Sequence, residues 1–131
     1  VGVESTVRAL LLADAAVAAL VGSRIYPQYI AEDAVYPAIV YQKISVARQP
    51  NLFTPTDLVS SRIQCDVWDN SYSKSQNLFD LVRQALNGYR GIFSGFEIKS
   101  CVLDSQRDLY DPDLKTHRVS GDFIIFHDEV V

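Results

Sequence analysis

Apolar residues recur along the chain with two different periods. Near the start, Val7, Leu10, Leu11, Val17, Ala18 and Val21 fall three or four apart. That spacing lines one face of a helix and predicts one over residues 6–20. Ser5, with Glu4 beside it, is the expected N-cap, Gly22 the expected end, and Asp14 faces away from most of the stripe. A second helix is predicted from Tyr72 or Lys74 to Asn87, carried by Leu78, Leu81, Val82, Ala85, Leu86 and Tyr89. Ser73 and Gln76 can form a capping box for it, and Gly88 can end it in a left-handed turn.

Elsewhere the period is two. In residues 57–68, Val59, Ile63, Cys65 and Val67 alternate with Ser60, Arg62, Gln64 and Asp66, the signature of a strand with one buried face. A strand over 38–46 carries Ile39, Val40, Tyr41 and Ile44. The connection before it, 22–37, holds two Tyr-Pro units, which favour extended backbone and leave room for a short edge strand at 25–30. Gly91 and Gly95 bound a turn that feeds a strand over 96–105. The acidic turn D-L-Y-D-P-D then leads into a last strand over 116–127. There Val119, Gly121, Phe123 and Ile125 point one way, and Ser120, Asp122, Ile124 and Phe126 the other.

The order predicts an α+β fold in one domain, residues 1–131. It has a mainly antiparallel four- to five-stranded sheet and two helices packed on one face. The opposite face then displays Val40, Ile44, Trp68, Ile124 and Phe126 among its charges, where a sheet facing water is ordinarily polar. Either another protein surface covers it or the chain's own loops do. Residues 46–57 stand apart. They contain R-Q-P-N-L-F-T-P-T, with Leu52 and Phe53 between Pro50 and Pro55 and Arg48 at the base. This is an extended arm or a mobile loop; its apolar tip either folds back on the core or packs on a partner.

Composition narrows the field. The 131 residues are 48% hydrophobic and 21% charged, as in a globular protein, and no apolar run approaches the ~18 residues of a membrane span. Neither a membrane helix nor a signal peptide is expected. The net charge is −4 and the 12 Lys and Arg are scattered singly, which argues against a nucleic-acid interface. Cys65 and Cys101 both sit in strand patterns and read as small buried hydrophobes. No cofactor or metal site is expected. His117 and His127 lie about 33 Å apart if they share a strand, too far to share an ion. The chain has no nucleophile elbow, phosphate loop, C-x-x-C or H-E-x-x-H. Asp108, Asp111 and Asp113 offer oxygens, but Asp111-Pro112-Asp113 is foremost a turn signal.

Four stretches resemble a known family in order and spacing. They are L-L-L-A-D-A-A-V-A-A-L-V-G-S-R-I-Y-P (10–27), Y-P-A-I-V-Y-Q-K-I (36–44), I-Q-C-D-V-W-D-N-S-Y-S-K-S-Q-N-L-F-D-L-V-R-Q-A-L-N-G (63–88) and L-Y-D-P-D-L-K-T-H-R-V-S-G-D-F-I-I-F (109–126). Together they are similar to the tail-completion or tail-terminator proteins of long-tailed bacteriophages. The resemblance implies a non-enzymatic virion protein, assembled in the host bacterial cytoplasm and placed at the head–tail interface. Its partners would be further copies of itself in a ring (typically a hexamer), the major tail tube protein and a head-completion or neck protein. DNA would pass through without specific binding, and no membrane is involved. The interface candidates are Arg48, Leu52, Phe53, Trp68, Tyr110, Asp111 and Asp113. Two alternatives stay open. One is another neck or minor tail component. The other is a dimeric ligand-binding or cofactor-free enzyme domain, with Trp68, Tyr41 and His127 lining a pocket.

Overall fold

The computed structural model describes residues 2–30, 35–48, 58–93 and 95–128. The chain opens with two short helices where the pattern predicts one. These are α1 (Val3–Ala13) and α2 (Ala15–Val21). Asp14 makes the break. Its backbone is extended, and its carboxylate accepts from the amides of Ala16 and Val17, each at 3.1 Å. A side chain that caps a helix start competes with continuing the helix before it, so the acidic residue is punctuation rather than a solvent-facing position. Ser5 is not the N-cap of α1. That position is Gly2, whose amide donates to Ser5 Oγ at 3.0 Å. Gly22 ends α2 at φ 58°.

Next come β1 (Ile25–Pro27), β2 (Ala38–Arg48), β3 (Leu58–Asp69), α3 (Tyr72–Leu86), a small hairpin of β4 (Gly91–Phe93) and β5 (Phe96–Ile98), β6 (Ser100–Asp111) and β7 (Thr116–Asp128). The strand expected over 96–105 is thus two strands, divided at Lys99. The cap of α3 is Ser71, which accepts from the amide of Lys74, and not Ser73. Gly88 takes the left-handed conformation at φ 82°.

The main sheet has the order β1-β2-β3-β7-β6. Every neighbouring pair is antiparallel except β1 with β2, which is parallel. The α+β class and the five strands agree with the sequence pattern; the three helices and the mixed sheet correct it. Tyr26 and Val40 lie side by side in register, and Arg24 donates to the Pro37 carbonyl at 3.0 Å.

All three helices contribute to one core. Val7, Leu11, Val17, Leu78, Phe79 and Val82 pack on Ile39, Ile63, Cys65, Val67, Phe123 and Ile125. Each large apolar side chain buried this way stabilises the fold by roughly 1.5–3 kcal/mol. Gly121 is what lets α3 approach. A Cβ at that position would lie 2.2 Å from Phe79 Cζ, so the ring occupies the space of the missing side chain. The register of β2 slips between Lys43 and Ser45, and that of β6 between Leu103 and Ser105. Both slips fall at the row of Ile63 and Phe123, where a bulge in each flanking strand bends the sheet. Ile44 sits at the first bulge and is exposed.

Candidate functional site

Among the described residues no helix lies on the second sheet face. Register and alternation place Val40, Trp68, Ile124 and Phe126 there, as the pattern predicts, together with Val102 and Leu109. Polar side chains between them are paired with one another. Arg62 binds Asp104 at 3.0 Å and Asp122 at 3.1 Å, and Gln64 donates to Ser120 Oγ at 2.7 Å. Arg118 lies 3.8 Å from Asp66 and stacks over Trp68, its guanidinium carbon 5.0 Å from the ring centroid. Burial pushes the Asp66 carboxyl above the ordinary carboxylate range, with the Ser120 hydroxyl and the charges of Arg118 and Arg107 pulling the other way.

At the turn end of this face lies an open groove of about 350 Å³, lined by Trp68, Leu109, Tyr110, Asp111, Pro112, Asp113 and Arg118. It brings together four of the seven residues singled out from sequence: Trp68, Tyr110, Asp111 and Asp113. Arg118 and Leu109 escaped notice, yet they are cross-strand partners of each other, and Arg118 is the partner of Trp68. An arginine opposite a tryptophan is the signal, and it is readable only once the register is known. Asp111 serves the local turn. Its Oδ1 accepts from the amides of Asp113 at 3.0 Å and Leu114 at 3.1 Å, so the turn reading of the acidic segment holds. Tyr110 is 54% exposed and rests against His117, ring centroids 4.9 Å apart. Trp68 is only 8% exposed, and its indole N–H has no acceptor among the described residues.

The other three candidates lie elsewhere. Arg48 ends β2 at the far end of the sheet, and Leu52 and Phe53 fall outside the described residues. The alternative pocket of Trp68, Tyr41 and His127 does not form. His127 sits on the helix-covered face with Ser61 at 2.7 Å and Phe96, while Trp68 is on the opposite face at the other end of β3. Burial raises both thiols, Cys101 to about 12, so both stay protonated at neutral pH, as small hydrophobes do. Among the described residues no three His, Cys, Asp or Glu side chains are placed to hold a metal ion, and no helix is long and apolar enough to cross a membrane.

A helix-backed sheet with a partly apolar open face and a groove at its turn end offers a surface for contact with another protein. The sequence matches the family described as "Tail completion protein gp17" over residues 5–128, and the chain belongs to that family. It is therefore a structural protein of a phage tail, located in the virion. Its fold is similar to that of a chain from the "Virion of native gene transfer agent (GTA) particle". The TM-score is 0.80 at 16% identity, over 96% of this chain and 94% of that one. No curated protein matches.

Proposed function

We propose that copies of this chain close into a ring, six in number, that caps the tail tube. The cap stops polymerisation of the tube and presents a new surface for joining the tail to the head. The observation that carries this reading is the uncovered sheet face of a tail-completion chain, with Val102, Ile124 and Phe126 clustered on it and Val102 49% exposed. Apolar surface in such an arrangement is stable when a neighbouring copy covers it, and a heterologous contact whose rotation closes gives a ring. A tube of identical rings has no intrinsic stop, because each added ring recreates the docking surface. A ring of different outer surface ends growth by occupying that end. The net charge of −4 suits a channel through which DNA moves without sticking.

Purified protein added to polymerising tube protein is expected to shorten the tubes at sub-stoichiometric amounts, measured as lengths by electron microscopy. Unchanged lengths, together with normal head joining in a phage lacking the gene, would refute the proposal.

A further inference from the structure

The two edges of the main sheet stand open over matching lengths. We infer that they pair across a junction: the outer edge of β6 in one copy, residues 104–110, adds on to the outer edge of β2 in the next, residues 42–48, so that one sheet runs through both copies. The inference rests on the ring reading for its setting and names the contact that closes the ring.

The first observation is exposure. β1 pairs with β2 only through Ile39, Val40 and Tyr41, so among the described residues no strand lies beside β2 from Gln42 to Ala47. On the other side of the sheet β6 is outermost along its whole length. Residues 42–48 and 104–110 are exposed without interruption, seven on each strand. Neighbours in sequence point to opposite faces, so both faces of these segments are bare as well as their edges. A long edge strand presents a row of unpaired amides and carbonyls that templates a further strand. Neither segment contains the proline that would interrupt such pairing.

The second observation is that each edge fits the other. β2, β3, β7 and β6 alternate in direction, so β2 and β6 run opposite ways. Rotation about an axis along the strands keeps those directions. It sets β6 of one copy antiparallel to β2 of the next, and the alternation continues across the junction. Charge agrees. Segment 42–48 carries Lys43 and Arg48 and no acidic residue, whereas 104–110 carries Asp104 and Asp108 against Arg107. One register keeps each face continuous and sets opposite charges together. It places Ser105 beside Ala47, Arg107 beside Ser45 and Asp108 beside Lys43, with the Ile44 bulge between the last two. Lys43 is 43% exposed and its ion pair with Glu4 is long, at 3.8 Å, so its charge is available to a neighbour.

That register also fixes a stagger. Arg107, level with Ser120, meets Ser45, level with Ile124, so each copy is shifted by four residues along the strands, about 13 Å. Spread over four strands this is one residue per strand, the ratio of an eight-stranded barrel with a shear of eight. A closed sheet requires such a stagger, and a flat ribbon needs none.

Ala47 and Ser105 are exposed and small, and antiparallel pairing holds their Cα atoms about 5 Å apart, within reach of a disulfide. Cys65 and Cys101 are buried and do not compete. The full-length chain carrying Ala47→Cys and Ser105→Cys is oxidised mildly at high concentration or with tube protein present, and its assembly is followed by native mass spectrometry. A ladder of cross-linked copies is expected on non-reducing gels. Neither single variant should give one, because a heterologous contact never sets a residue beside its own copy. Lys43→Glu and Asp108→Lys should each raise the concentration for half-assembly at least about tenfold, and the two together should recover most of the loss. No ladder from an assembled double-cysteine chain, single variants that cross-link as fully, or no recovery in the charge swap would overturn the edge pairing and leave the ring. A ladder with uncontrolled tube lengths would sink the capping function and leave the pairing standing. A chain that never assembles would remove both.

Discussion

The two faces of the five-stranded sheet are made from the same strands and obey different rules. On the helix-covered side, Val59, Ile63, Cys65 and Val67 stand beside Phe123, Ile125 and Val119, all essentially inaccessible. One position over, the same strands present Arg62, Gln64 and Asp66 beside Ile124, Asp122 and Ser120. The covered face is uniform because the helices demand shape and nothing else. The open face mixes ion pairs with Ile124, Phe126 and Val102, a composition closer to an interface than to a solvated sheet. One face thus specifies the fold, and the other is free to specify what the fold meets.

Breaking the covered face should be costly. Phe79→Ala empties the site between α3 and the sheet, where the ring lies 6.4 Å from that of Phe123, and is expected to cost about 3–5 kcal/mol in urea unfolding. Gly121→Ala tests the same place by crowding. With Phe79 in its way, the added methyl should cost about 1–3 kcal/mol. Adding Phe79→Leu should recover part of that, so the double mutant loses less than the sum of the singles. A double mutant that is strictly additive would show that the ring does not occupy the missing side chain's space. Asp14→Ala removes the cap at the α1–α2 break and should lower stability by about 1 kcal/mol, read as a shift in the unfolding midpoint.

The open face should respond to pH instead. Asp66 has its pKa raised by burial, so between the ordinary carboxylate value and the raised one the folded chain holds more protons than the unfolded chain. Its ionisation therefore opposes folding. That penalty is present above the raised pKa and fades as pH falls towards about 4. Asp66→Asn should be as stable as the parent or slightly more so at neutral pH, with the difference shrinking on acidification. An Asp66→Asn chain clearly less stable than the parent at neutral pH, with the loss shrinking on acidification, would mean that the Arg118 ion pair outweighs burial.

Much of this division could be read from the chain itself. The alternation in residues 57–68 and 116–127 assigned both faces correctly, because a period of two leaves only two answers and the apolar set chose between them. The turn chemistry of Asp111 and the left-handed Gly88 were equally legible, since each is a local demand. Three features were not. Asp14 looked like one polar residue on an amphipathic helix, and only its hydrogen bonds to Ala16 and Val17 reveal a cap. The parallel placement of β1 beside β2 is a long-range pairing, which periodicity does not encode. The groove lay half in view: Trp68, Tyr110, Asp111 and Asp113 stood out by residue type, whereas Arg118 joins them only through a cross-strand register set by the whole sheet.

The measurement that bears most directly on the two-faced sheet is native mass spectrometry over a concentration series, on the parent chain and on Val102→Glu, with thermal melts alongside. The account predicts a discrete closed oligomer of six copies for the parent at high concentration or with tube protein present. It predicts a monomer with an almost unchanged melting temperature for the variant. A parent chain that stays strictly monomeric under all these conditions, or a Val102→Glu chain that assembles as well as the parent, would contradict it.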